Sequence, residues 1–287
     1  MNTSKSLRVL LPAALLSLAA CSGGDKSSSN EPAAEPAPVA ESAAPAEDAS
    51  TKIDVAAVRE SARTAMFVPA PSEFQAALKA TGVDLDLRAG VKDAPRDLTG
   101  KSKAIVALET GVRMANVLLT ADTGAKDAVL GRMKAAREGL VALKVSDEVM
   151  SETDKVIADY EAGTISGAEA TPALDVLAGR IQDQLGASAD KTTATLVQAG
   201  GWLQGAHLLS SALAESGQGG DAAALLHQPT VVAHFTQFLK TAGAGDSAVT
   251  GVLPKMDELG ALAAKSDLTA DDMAAASKLT GSILAAF

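Results

Sequence analysis

The only thiol in this chain of 287 residues is Cys21, so it has no disulfide partner within the chain. Any other chemistry would have to come from carboxylates or from the three imidazoles, His207, His227 and His234. His227 and His234 are spaced to share a face of a continuous helix, but Pro229 stands between them. No His-Glu-x-x-His, Cys pair or carboxylate-rich loop accompanies them, so no metal is expected. There is no Gly-x-Ser-x-Gly elbow, and Ser102-Lys103 reads as the opening of a helix. No Cys-x-x-Cys-His pattern supports haem, and no strand precedes a Gly-rich loop that could hold phosphate. Gly217-Gln218-Gly219-Gly220 reads as a connection, and no cofactor is expected. Glu109 with Arg113, and Arg137 with Glu138, read as solvated helix faces. Asp271-Asp272 matches the dipole at a helix start. No catalytic residue is assigned.

The most distinctive position is Trp202, the only Trp, which follows Gly200 and Gly201. A glycine inside a helix costs about 1 kcal/mol against alanine. Gly200, Gly201 and Gly205 therefore call for something that must come close. It is either a ligand, lined by Trp202, Gly201, Gly205 and His207, or a neighbouring helix, with Trp202 as core. Met114, Met133, Met150 and Met256 could supply an adaptable apolar cavity, because a thioether on a flexible stem repacks easily.

The elements that would position these residues differ along the chain. Lys5 and Arg8 precede an apolar run from Val9 to Ala20. That run is too short for a permanent membrane span, which needs about 20 residues, and fits a secretory leader over residues 1–20. It ends in Leu18-Ala19-Ala20-Cys21, which resembles the bacterial lipobox. The resemblance implies diacylglycerol on the Cys21 sulfur, cleavage before it and acylation of the new amine. Each buried methylene contributes about 0.8 kcal/mol, so two or three acyl chains make a lasting anchor. Ser22, rather than Asp, follows the Cys, which by resemblance to enterobacterial sorting points to the outer membrane, facing the periplasm.

Residues 21–51 are rich in Ser, Ala, Pro and Glu and bury too little to offset their ordering entropy. At roughly 3 Å per residue such a linker reaches up to about 90 Å. Loss of Lys5 and Arg8 with the leader takes the formal charge from −10 to −12. That argues against nucleic acid and against charge-driven docking on anionic lipid.

From residue 52 to 287 the pattern is helical, with Ala and Leu dominant, 2% aromatics and no sustained alternation of period two. The fold class expected is all-α, a multi-helix bundle. Helices are expected from Ile53, from Ser72 to Ala80, to about Thr120 after a Thr99 or Ser102 cap, and from Lys126 to Leu143. Others start at Ser146, at Thr171 with Pro172 in first position, near Asp190, at Pro229, at Ser247 and after Thr269. Val83 to Leu98 reads as irregular.

Gly111-Val112-Arg113-Met114-Ala115 and the following Leu118-Leu119 can be laid over Gly201 to Gly205 and Leu208-Leu209. The match suggests two related helical halves, or chance in a sequence so rich in small residues. Ala199-Gly200-Gly201-Trp202, with Gly205 after it, and Pro69-Ala70-Pro71-Ser72-Glu73 upstream resemble motifs of uncharacterised helical envelope proteins of Gram-negative bacteria. Those carry P-S-P-x-E before an early helix and A-G-G-W inside a later one. Here Ala70 and Ser72 exchange the order of the first motif, and no function travels with the likeness. The chain reads as a membrane-anchored envelope lipoprotein that binds a protein partner or supports an assembly. The alternatives are a module for a lipid or small apolar ligand, and a hydrolase with an unrecognised site near His207.

Overall fold

The computed structural model describes residues 68–69, 71–80, 96–187, 191–217 and 220–287. The expected leader, Cys21, the linker, the helix from Ile53 and most of the stretch from Val83 to Leu98 lie outside the described residues. The described elements are all helices, and the fold is all-α. They are α1 (Pro71–Ala80), α2 (Lys103–Thr120), α3 (Lys126–Leu143), α4 (Asp147–Ala162), α5 (Gly167–Ala187) and α6 (Lys191–Ser216), a 3-10 turn (Gly220–Leu226), then α7 (Pro229–Ala242), α8 (Ser247–Ala263) and α9 (Ala270–Leu284). No helix among the described residues is long and apolar enough to cross a membrane.

Local chemistry sets most of the boundaries. The hydroxyls of Ser102 and Ser146 accept from Ile105 N at 3.3 Å and Val149 N at 3.4 Å, capping α2 and α4. Thr269 and Asp272 form a reciprocal capping box at the start of α9. The expected start of α5 at Thr171 is corrected. The helix begins at Gly167 and carries Pro172 inside it. Ser166 and Glu169 are the reason. Glu169 Oε2 accepts from Ser166 N at 2.8 Å, and Ser166 Oγ accepts from Glu169 N at 3.3 Å. This S-x-x-E box outweighs the proline signal, and Pro172 falls past the first turn, where it has no amide hydrogen to give the helical ladder.

Helices α2 to α5 close a four-membered ring, each packing on the next and α5 returning to α2. Helices α6 to α9 close a second ring in the same order. The rings close unequally. α6 and α9 pack along much of their length, whereas α2 and α5 barely meet. The most extensive helix pair in the fold is α2 with α6, which joins the two rings. α6 is buried on nearly every side, consistent with a sequence apolar all round.

Glycines make that junction possible. A Cβ at Gly111 would lie 1.9 Å from the Val197 carbonyl oxygen, and one at Gly200 would lie 2.0 Å from that of Leu108. The two Gly-led segments that align in sequence therefore face each other, with Gly201 also against Gly111. Gln204 Nε2 donates to Asn116 Oδ1 at 2.8 Å across the same crossing, so its polar atoms are paired as well as close.

Two outcomes follow for helical glycines. Gly111→Ala and Gly200→Ala each lower stability by about 3 kcal/mol or more, because backbone must move. Gly131→Ala and Gly251→Ala, which meet nothing within 4 Å, raise it by about 0.5–1 kcal/mol each. Urea titration of the four variants checks both signs.

The α9 box gives a pH-dependent outcome. Lys265 and the Thr269 amide and hydroxyl hold Asp272 down to about 2, from an ordinary 3.8. A depressed carboxylate stabilises above its unfolded value and loses that contribution as pH falls towards its folded value. Asp272→Asn is therefore less stable than wild type at neutral pH, and the gap narrows between pH 4 and 2. Chemical denaturation across that range measures it.

Candidate functional site

The first ring encloses an apolar groove. Met114, Val117 and Leu118 from α2 face Met133, Ala136 and Leu140 from α3. α4 contributes Thr153, Val156 and Ile157, and α5 contributes Leu174, Leu177, Ala178 and Ile181. These positions recur at three- and four-residue steps, so each helix turns one stripe inward. The space between them wide enough for the centre of a water molecule is about 40 Å³. The void is thus a slit between walls.

The groove coincides with a break in the hydrophobic core. Leu140, Leu177 and Ile181 belong to the main cluster, which runs on through the second ring. Val117, Met133, Ala136 and Ile157 belong to a separate smaller cluster with Tyr160. Met114 packs against both clusters. Residues 103–187 hold one aromatic, Tyr160, while Trp202, Phe235 and Phe287 fill the second ring. Burial pushes the Tyr160 phenol up.

Ion pairs strap the outer seams of the groove. Arg137 forks onto Asp154 between α3 and α4, with Nη2 to Oδ2 at 2.9 Å, and holds that carboxylate below its usual range. Lys134 meets Glu161 at 3.0 Å on the same seam, and Arg180 meets Glu152 between α4 and α5. Such exposed pairs contribute little stability each, about 0–1 kcal/mol.

The methionines divide. Met114 and Met133 line the groove, Met150 is half-buried against the main cluster, and Met256 is sealed in the second ring on α8. The residues expected around Trp202 take four different neighbours. Gly201 faces Gly111 on α2, and a Cβ at Gly205 would lie 2.5 Å from the Phe74 ring on α1. Trp202, 2% exposed, packs on Phe235 of α7 with ring centres 5.9 Å apart, and its indole N–H has no hydrogen-bond partner. His207 Nδ1 lies 3.2 Å from both Ser277 O and Thr280 Oγ1 on α9, in space that Gly281 leaves open. These four residues point to different sides of a central helix instead of converging on one space.

Glu109 and Arg113 correct the reading of a solvated face. They are 7% and 4% exposed, with Arg113 Nε 3.6 Å from Glu109 Oε1. Arg113 Nη1 donates to Ala135 O at 2.9 Å, and Nη2 donates to Arg96 O, tying α2 to α3 and to the segment before α2. Arg137 pairs with Asp154, leaving Glu138 to approach Arg113 at 3.5 Å. The charges are committed to packing, not aimed into the groove.

A shallower hollow beside Tyr160 and Gly167 carries Lys126 and Glu169. Lys126 Nζ donates to Glu161 O at 2.9 Å, and Ser166 takes the Glu169 carboxylate and lowers its pKa. Among the described residues no group of three or more His, Cys, Asp or Glu side chains is placed to hold a metal. Comparison with family models, with curated proteins and with solved structures finds no match to this chain.

The buried pair gives a third outcome. Arg113→Met lowers stability by about 3 kcal/mol, because it removes the bonds to the Ala135 and Arg96 carbonyls and leaves the buried Glu109 carboxylate with Arg96, at 4.0 Å, as its cationic partner. Adding Glu109→Leu recovers most of the loss. A double-mutant cycle in urea resolves the two contributions.

Proposed function

We propose that this chain is a lipid-anchored protein of the bacterial envelope whose helical domain binds an apolar ligand. The observation that carries the binding half is the groove between α2, α3, α4 and α5, a gap in the core lined by carbon and sulfur. Its lining is apolar, as that of ligand pockets predominantly is. Support for the anchor is the leader that ends in Leu18-Ala19-Ala20-Cys21, with an acidic linker after it. Together they describe a module held near a membrane and free to reach molecules beside it.

Partner docking draws less support. The large hydrophobic side chains left exposed among the described residues are Val141 on α3 and Val176 on α5. Two valines fall within ordinary surface composition and fall short of a docking patch.

The test is native mass spectrometry of the full chain extracted from its host. An acylated N-terminus at Cys21, lost in Cys21→Ser, is expected, together with a second, non-covalent apolar mass. Ala136→Leu, which fills the groove, removes that second mass and raises the stability of the ligand-free protein by about 1 kcal/mol. A chain that carries no apolar mass, or carries it unchanged in Ala136→Leu, contradicts the binding half. Absence of acyl mass at Cys21 contradicts the anchor.

A further inference from the structure

We infer that the occupant of the groove is a single alkyl chain, held by its hydrocarbon with the polar head left outside. The inference rests on the ligand-binding reading above and names the class of ligand.

Chemistry of the lining excludes a buried head. Twelve of the groove's thirteen side chains are hydrocarbon or thioether, and the exception is Thr153. Its hydroxyl donates to Val149 O at 2.8 Å, the carbonyl one turn back on its own helix. No lining group is charged, and none offers a free donor. A polar atom drawn inside would lose its water and find little to replace it, which is strongly unfavourable.

Shape favours a chain over a ring system. The free space is narrow, with about 40 Å³ wide enough for the centre of a water molecule. On α3 it runs from Met133 to Leu140 and on α5 from Leu174 to Ile181. Seven residues of helix rise about 10 Å, so the slit follows the bundle axis for two turns. A flexible chain fits such a slit after small side-chain shifts, which Met114 and Met133 are suited to make. A rigid fused ring would have to force helices apart. Nor does the lining present an aromatic face on which a planar ligand could stack.

The edge of the ring where neighbouring helices meet least is α2–α5, and this suggests where a chain enters. α5 barely meets α2, and a Cβ added at Gly179 or Gly186 would meet nothing within 4 Å. Each such glycine weakens the helix relative to alanine.

The experiment uses the full chain carrying Cys21→Ser, so that its own acyl groups do not compete. It is titrated with octanoate, decanoate, dodecanoate and hexadecanoate, with dodecanol, and with a sterol, and binding is followed by calorimetry. Affinity is expected to rise by about fourfold per methylene over the shorter chains and then level off. Dodecanol should bind within a few-fold of dodecanoate, the sterol at least tenfold more weakly, and Ala136→Leu and Ala178→Leu should each abolish chain binding. A sterol that binds as tightly as hexadecanoate, or a tenfold preference for dodecanoate over dodecanol, overturns the alkyl-chain assignment and leaves the apolar-ligand reading standing. No binding by any member overturns both. Incubation with phosphatidylethanolamine vesicles then separates the sources. Phospholipid recovered with the protein assigns the chain to a membrane lipid, and its absence assigns the chain to a free fatty acid.

Discussion

Gly111 and Gly200 let two helix backbones touch, and the rest of the molecule is arranged around that contact. With a methyl group at either position, α2 and α6 would have to separate, because the obstacle is a carbonyl oxygen and cannot rotate away. Close approach also brings Asn116 within reach of Gln204, so a polar pair is satisfied where an apolar crossing would strand it. Each central helix then collects its own ring, and α6, enclosed on all sides, gives each of its special residues a different neighbour.

The two rings solve the same packing problem with different materials. Trp202, Phe235 and Phe287 supply bulk in the second, and α9 lies close along α6. Gly281 helps, since it leaves space for the His207 ring. The first ring lines its groove mainly with Ala, Leu, Ile, Val and Met, and Met114 packs against both of the clusters into which its core divides. Close packing is the ordinary state of a protein interior, and an unfilled region lowers stability in proportion to its volume. A gap retained at that cost, ringed by adaptable side chains, is a reasonable place for a ligand.

Charge plays a structural part in the same region. Arg113 is buried against Glu109 and reaches carbonyls on two other segments, which fixes α2 relative to α3. On the outside, Arg137, Lys134 and Arg180 strap α3, α4 and α5 together. The α2–α5 edge has no ion pair of this kind among those described, and it is also where the helices meet least. The first ring is thus firm on three seams and weak on the fourth.

Caps and periodicity are local, and the sequence by itself determined most of what depends on them. Ser102, Ser146, Pro229 and Thr269 mark helix starts through bonds to residues a turn away, so α2, α4, α7 and α9 were legible. The start of α5 was misplaced because two local signals competed, and Ser166 with Glu169 outweighed Pro172. Glycines around Trp202 announced a close approach but not its partner, which lies across the fold on α2. The i,i+4 spacing of Glu109 and Arg113 fits an exposed face equally well, and burial came from Ala135 and Arg96 closing over them. Met114 and Met133 could be nominated for a cavity, yet nothing local separates them from Met256, which is sealed in core. Only the tertiary structure decided that difference. A void is a property of four helices at once, set by how the volumes they bring together fall short, and no single stretch of chain encodes it.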